Sequence, residues 1–352
     1  METALLLSKR NLGNTAPNPS VGCVIENNGI VVGRGWTAIG GRPHAETIAL
    51  KQAGEKAKGA TLYVTLEPCS HQGETPPCVD AIIKAGIAKV VFSMEDPNPK
   101  VNGKGTEALK KAGIDVILWV GEEEAEEINK GFILTQTENR PLVALKFATS
   151  LDGKIALASG ESKWITNDKS RHYAHFLRSQ HDAIVVGIGT VLADNPMLNC
   201  RINGLEHKSP IRIIMDTNLR IPLESKLVQT ARDIPTWIFG SGEKQKALEK
   251  HGVKVFEIHK ENTGDVRFFL TKLAKNGITR LLVEGGATLA TSFVKSGLFD
   301  DIYWFYGSQI MGGDAKSAVN ALDINTMNEI RRLTTVETKK FDNDRVIKLC
   351  QK

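Results

Sequence analysis

No continuous apolar run in the sequence approaches the roughly 18 residues that a membrane-spanning helix needs. The opening stretch METALLLSKRNLGN carries an acidic second residue and a short apolar run before Lys9-Arg10, the wrong order for a secretory leader. Cysteine is sparse, five in 352 residues, and an odd, scattered set is a poor disulfide framework. A reducing, cytoplasmic setting is therefore expected. A clustered basic stripe is missing too: 45 Lys+Arg and 40 Asp+Glu, net +5, are interspersed along the chain. That excludes the usual footprint of a nucleic-acid or membrane partner and leaves small phosphorylated molecules as ligands. Internal repeats and low-complexity tracts are also absent.

What is there suits an ordinary globular protein, with 41% hydrophobic and 24% charged residues. A length of 352 residues exceeds what one core serves, so two domains are expected. After an amphipathic helix, GCVIE and IVVGRGW flank Asn27-Asn28-Gly29 and read as a hairpin, because Asn-Gly supplies positive φ. Next come a helix over HAETIALKQAG ended by Gly54, the strand TLYVTL, the helix CVDAIIKAG, and further strand and helix pairs as far as EEEAEEINKGF. This β-β-α-β-α-β-α-β-α order predicts a sheet with helices on its faces. The polar stretch TQTENRP places a linker near Glu138 to Pro141, giving expected domains of 1–143 and 144–352. The second half alternates strands and helices and closes on a hairpin of TVETKK against RVIKLC.

Chemistry gathers in the first half, in PHAE (Pro43 to Glu46) and EPCSHQGETPPC (Glu67 to Cys78). His44 and Glu46 open a helix two positions apart and point differently, so one can bind a metal while the other reaches toward substrate. Cys69 lies at the end of the strand TLYVTLEP and Cys78 opens the following helix, whose N-terminus favours the thiolate a metal needs. Three ligands leave a fourth position open, as in catalytic zinc sites, where bound water reaches a pKa near ~7. Glu46 would then carry the proton. His-x-Glu followed by Pro-Cys is the pattern of zinc nucleobase deaminases, but eight residues rather than two separate these cysteines. His71 is the candidate fourth ligand of a structural site and suits substrate contact better. Cys23, Cys200 and Cys350 are read as non-ligands.

With TAPNPSVGCVI, PHAE, YVTLEPCSHQGETPPC, EDPNPKVNGKG, SLDGK, WIT and LVEGG in order, the whole chain resembles the bifunctional riboflavin-biosynthesis deaminase/reductase family, which shares the eight-residue cysteine spacing. The resemblance implies an α/β protein with a cytidine-deaminase-like three-layer α/β/α domain, then a dihydrofolate-reductase-like domain. It implies one zinc, NADPH, a phosphorylated pyrimidine substrate and a homo-oligomer. The first domain would deaminate 2,5-diamino-6-(5-phosphoribosylamino)pyrimidin-4-one, and the second would reduce the ribosyl group to ribityl. By matching, His44, Cys69 and Cys78 hold zinc, Glu46 shuttles the proton, and Asn18, His71, Asp96 and Asn98 contact the first substrate.

The second half has no Gly-x-Gly-x-x-Gly after its first strand, so cofactor binding must rest on other loops. VVGIGT and LLVEGGATLA each run from a strand through a glycine pair into a helix start, a cradle for a pyrophosphate. The resemblance assigns Thr149, Trp164, Thr190, Asp194 and Gly286 to NADPH. It assigns Ser162, Arg178, Leu198, Arg201 and Glu284 to substrate, the two arginines as forks for the ribose phosphate. Asp194, then Lys154, are the candidates for the polar catalytic group of the reduction. Three positions depart from the family: Thr37 stands in place of a histidine, Glu74 in place of a cation, and Asn167 in place of a small residue after WIT. The first two imply weaker substrate binding in the first step, the third an altered loop over the nicotinamide. The alternative is a nucleoside or nucleic-acid deaminase fused to a non-catalytic nucleotide-binding module.

Overall fold

The computed structural model describes residues 1–73, 76–98 and 101–351, apart from the Lys260 side chain. It comprises two compact units, Met1–Pro141 and Leu142–Lys352. The break falls two residues before the expected 143/144 boundary, because Leu142 and Val143 already pair with Arg280 and Leu281.

In the first unit, α1 (Glu2–Ser8) precedes a hairpin of β1 (Gly22–Asn27) and β2 (Ile30–Trp36), turned at Asn28-Gly29 with both φ positive. Then come α2 (Ala45–Ala53), β3 (Thr61–Val64), α3 (Cys78–Lys84), β4 (Lys89–Phe92), α4 (Lys104–Lys111), β5 (Asp115–Ile117) and α5 (Glu122–Thr137). The sheet order is β2-β1-β3-β4-β5, with β1 antiparallel to both neighbours and the remaining pairs parallel.

Alternation along the strands sorts the two faces. Cys23 and Ile25 pair with Gly35 and Gly33, and on that face a Cβ at Gly35 would stand 2.0 Å from Ala45 O and one at Gly33 2.3 Å from Ala49 O. The bare backbone of β2 thus lets α2 lie directly on the sheet. On the opposite face Gly22 admits Ala4 of α1 in the same way. The result is three layers, with Leu62, Val64, Val90 and Phe92 in the core beside Ala45, Ala49 and Ile82.

The second unit runs β6 (Leu142–Thr149), β7 (Lys154–Ala156), α6 (Asp168–Ser179), β8 (Ala183–Gly187), α7 (Ile188–Asp194), β9 (Ile211–Met215) and α8 (Lys226–Gln229). It continues through β10 (Thr236–Phe239), α9 (Gln245–Lys250), β11 (Lys254–Phe256), α10 (Val266–Lys275), β12 (Arg280–Glu284) and α11 (Ala287–Ser296). Last come β13 (Asp301–Tyr306), β14 (Lys316–Ser317), β15 (Leu333–Phe341) and β16 (Asp344–Gln351). One sheet of nine strands is ordered β11-β10-β9-β8-β12-β6-β13-β16-β15. From β11 to β13 it is parallel, and the closing β15–β16 hairpin joins antiparallel. Both faces are covered, as parallel sheets require: Ala183 and Val185 pack with Phe269 and Phe293, while Ile184 and Val186 pack with Val191 and Leu227.

Candidate functional site

In the first unit His44 is the N-cap of α2 and Cys78 is the first residue of α3. Cys69, expected at a strand end, lies in the loop five residues beyond β3. His44 Nδ1 is 3.3 Å from Cys78 Sγ and 3.7 Å from Cys69 Sγ, and the three ligand atoms lie within 4.8 Å of one another. Zinc bonds of about 2.0 Å to nitrogen and 2.3 Å to sulfur at a tetrahedral angle require N···S separations of ~3.5 Å, so the set fits the ion. A hydrogen bond from Cys78 pulls the Cys69 thiol down to about 4, and the same bond pushes Cys78 upward. His44 is raised, first by its bond to Cys69.

Glu46 is the second residue of α2, 4% exposed. Burial, then the nearby Cys69, pushes its carboxyl above the usual range. Asp96, nearly buried, is raised by desolvation, and its Oδ1 accepts Asn98 N at 2.8 Å. Cys69 and His71 lie close enough to Asp96 to influence it, so the two loops come to one place. Asn18 packs its amide against Gly41, close in sequence to His44.

One residue the sequence reading passed over organises this side. Glu67, 3% exposed, accepts Thr106 N and Oγ1 at 2.9 and 3.3 Å, Gly103 N at 3.0 Å and Asp96 N at 3.3 Å. It ties the cysteine loop to the start of α4 and to the Asp96 loop. Thr37, a departure from the family, is 3% exposed and its hydroxyl accepts Val21 N at 2.9 Å. Glu74 lies outside the described residues. Cys23 and Cys200 are buried and Cys350 half-buried, all free thiols away from the ligand set.

In the second unit two loops meet because β8 and β12 are neighbours. Gly285 and Gly286 have φ of 85° and 79°, and a Cβ on either would stand 3.3 or 3.5 Å from Thr190 Oγ1. The first N–H groups of α11 carry no side-chain cap. Positive φ, close approach and free amides at the carboxyl end of parallel strands suit a pyrophosphate, so this loop fits NADPH. Gly187 precedes α7, whereas Gly189 lies within its first turn.

Asp194 ends α7 with Lys163 Nζ at 3.8 Å. Trp164 is exposed, with the Arg171 guanidinium 4.2 Å from its ring centroid. Ser162 and Trp164 line a cavity of about 640 Å³ together with the 342–344 turn. Asn167 caps α6 through Ser170 N and donates to Phe341 O at 2.7 Å, so this departure fastens the loop to the closing hairpin. Thr149 is fully buried, its hydroxyl accepts Trp304 Nε1 and its carbonyl accepts Gly307 N at 2.9 Å. Lys154 Nζ donates to Ser317 Oγ at 3.0 Å.

Two of the substrate candidates meet directly, Arg178 and Glu284, the last residue of β12. Arg178 of α6 grips it with two bonds, 2.8 and 2.9 Å. Register sets Lys146 of β6 beside it, Nζ at 3.7 Å. Burial alone would raise Glu284, but Arg178 and Lys146 outweigh it and hold the carboxyl at about 2. Lys146 and His175 were not foreseen. A lysine amid LVALKF was a visible signal for the first, and nothing local marks the second. Arg201 stands in solvent with its guanidinium on His175 Nε2 at 3.2 and 3.0 Å. Leu198 is 4% exposed with φ of 51°, and its side chain belongs to the core.

The family model for the cytidine and deoxycytidylate deaminase zinc-binding region matches residues 1–94, and that for the RibD C-terminal domain matches 141–347. The riboflavin biosynthesis protein RibD of Aquifex aeolicus is 45% identical over 349 residues, 99% of this chain and 96% of that one. Its Escherichia coli counterpart is 42% identical over 90% and 89% of the two chains. Among solved structures, Acinetobacter baumannii RibD superposes with a TM-score of 0.92 at 38% identity, covering 100% and 97%. A diaminohydroxyphosphoribosylaminopyrimidine deaminase/5-amino-6-(5-phosphoribosylamino)uracil reductase from Thermotoga maritima gives 0.87 at 35%, with the same coverage. A reductase-family second half does not favour the non-catalytic nucleotide-binding module. The chain belongs to the RibD family of riboflavin biosynthesis, bifunctional enzymes with a zinc deaminase domain followed by an NADPH-dependent reductase domain.

Proposed function

We propose that the first unit converts 2,5-diamino-6-(5-phosphoribosylamino)pyrimidin-4-one and water to the uracil and ammonia, and that the second reduces the product's ribosyl group to ribityl. The observation that carries this reading is the set of three ligand atoms within 4.8 Å beside the buried Glu46. His44, Cys69 and Cys78 would hold zinc, which when bound would supply a Lewis acid able to make water nucleophilic near neutral pH. Glu46 would take a proton from the attacking water and give it to the departing amine. Asn18, His71, Asp96 and Asn98 present amides, a ring nitrogen and a carboxylate to the donor and acceptor edge of the pyrimidine and to the ribose.

In the second unit Gly286, Thr190, Trp164, Asp194 and Thr149 hold NADPH. Ser162, Arg178, Leu198, Arg201 and Glu284 hold the substrate, with Arg178 and Arg201 toward its phosphate. Reduction adds a hydride and a proton across the ring-opened imine at ribose C1. Asp194 is the first candidate to guide that proton and Lys154 the second. We further infer a cytoplasmic homo-oligomer without nucleic-acid or membrane partner; among the described residues no helix is long and apolar enough to cross a membrane.

The test is a coupled assay of ammonia release and NADPH consumption on the diaminopyrimidinone phosphate. Glu46→Gln should lose both by about 10²-fold or more, while still oxidising NADPH on the deaminated product. Absence of ammonia from zinc-loaded wild type would refute the substrate assignment.

A further inference from the structure

His175 lies on α6 three residues before Arg178, between the two arginines that the proposed function turns toward phosphate. Its Nδ1 is 3.1 Å from Asn199 O, which can only accept, and 3.5 Å from Arg178 Nη1, which has that carbonyl as its nearer acceptor, so Nδ1 carries the proton. Nε2 of the neutral ring is then a bare acceptor, and Arg201 Nε and Nη2 meet it at 3.2 and 3.0 Å. Arg178 Nη1 donates to the same Asn199 carbonyl at 3.0 Å, while its other nitrogens grip Glu284. One imidazole thus links the exposed arginine to the buried one through a shared carbonyl. An arginine in solvent samples many rotamers, and fixing it costs side-chain entropy each time a ligand is bound. Two bonds to a ring that is itself anchored remove much of that cost beforehand.

We propose that His175 is a positioning residue of the reductase, which as a neutral acceptor holds the Arg201 guanidinium ready for the substrate phosphate. Burial, followed by the charges of Arg178 and Arg201, lowers His175 to about 4, in keeping with a neutral ring at working pH. The charged surroundings favour an anion: Arg178 and Lys146 face a single carboxylate, Glu284, and Arg201 adds a third cation on His175. The inference rests on the reading of Arg201 as a phosphate contact, and the experiment separates the two.

Steady-state reduction of 5-amino-6-(5-phosphoribosylamino)uracil by the full-length zinc-loaded enzyme is compared for wild type, His175→Leu, His175→Gln, Arg201→Ala and the Leu/Ala double variant. Ribose 5-phosphate serves as a competitive inhibitor. His175→Leu should raise KM and the inhibitor constant about tenfold with kcat within about twofold, the loss of roughly one well-placed charged hydrogen bond. His175→Gln, which restores an acceptor at the same reach, should return both to within about threefold. The double variant should be no worse than Arg201→Ala alone, since the histidine acts through that arginine. Independent, multiplying defects would overturn the inference, as would an unchanged KM in His175→Leu. So would a joint fall of kcat, NADPH affinity and melting temperature that Gln does not repair. An Arg201→Ala enzyme of normal KM would instead refute the phosphate reading itself.

Discussion

Glu67→Gln tests whether one buried carboxylate holds the substrate side of the deaminase site together. One oxygen of Glu67 takes Thr106 N and Oγ1, the other takes Gly103 N and Asp96 N. An amide of equal size keeps one oxygen and turns an NH2 on the other pair. Facing Thr106 it strands one main-chain N–H, and facing the other pair it strands two. Each buried, unpaired N–H costs about 1–3 kcal/mol, and the surviving bonds lose their charge, so the first unit should be destabilised by ~2–4 kcal/mol. The damage extends to function, because Asp96 N is among the donors and Asp96 in turn holds Asn98. Denaturation of the full chain must resolve the two units separately, since a chain of this kind does not unfold in one step. Deamination should show KM raised about tenfold, equivalent to ~1.4 kcal/mol of binding, with zinc still at one per chain. A first-unit transition within ~0.5 kcal/mol of wild type would refute the hydrogen-bond argument. Zinc loss with unchanged KM would show that Glu67 serves the cysteine loop alone.

Gly35→Ala places a methyl 2.0 Å from Ala45 O and so pushes α2, with His44 and Glu46, off the sheet; deamination and zinc retention should fall at least about tenfold while NADPH oxidation on supplied product persists. Normal zinc content in that variant would disprove the packing argument. Glu284, usual value 4.5 and held at about 2, contributes stability that is complete above about pH 5 and is lost as pH falls through 2. The lowered value corresponds to ~3 kcal/mol in the second unit, and Glu284→Gln should flatten the acid limb of its unfolding curve. An acid limb as steep as wild type would refute it.

How far the fold could be read in advance depended on how local its causes are. Asn28-Gly29 demanded positive φ and so announced the β1–β2 turn, and Gly54 announced the end of α2, where it adopts φ of 54°. Strand and helix order followed from periodicity in the same way. Sheet order did not: nothing in RLLVE says that β12 inserts between β8 and β6, because that neighbour choice is made by packing between segments distant in the chain. The same choice sets where the second unit begins, as Leu142 and Val143 open β6 by pairing with Arg280 and Leu281 of β12.

The two sites divide along the same line. A zinc site advertises itself because three residues must present soft, directional donors, and few other needs put a histidine and two cysteines at helix starts and a loop in that order. The reductase cluster is built from ordinary residue types whose meaning comes from juxtaposition. Lys146 becomes a partner of Glu284 only through β6–β12 register, and His175 becomes an acceptor for Arg201 only once Asn199 O fixes its tautomer. Departures from a family pattern obey the same logic. Thr37 looked like a lost substrate contact, yet its hydroxyl is spent on Val21 N at the mouth of the β1–β2 hairpin, and Asn167 looked like a change over the nicotinamide, yet it caps α6 and ties Phe341. Both side chains are committed to the backbone, so what each substitution alters first is how firmly a site loop is held, and through that how the site binds.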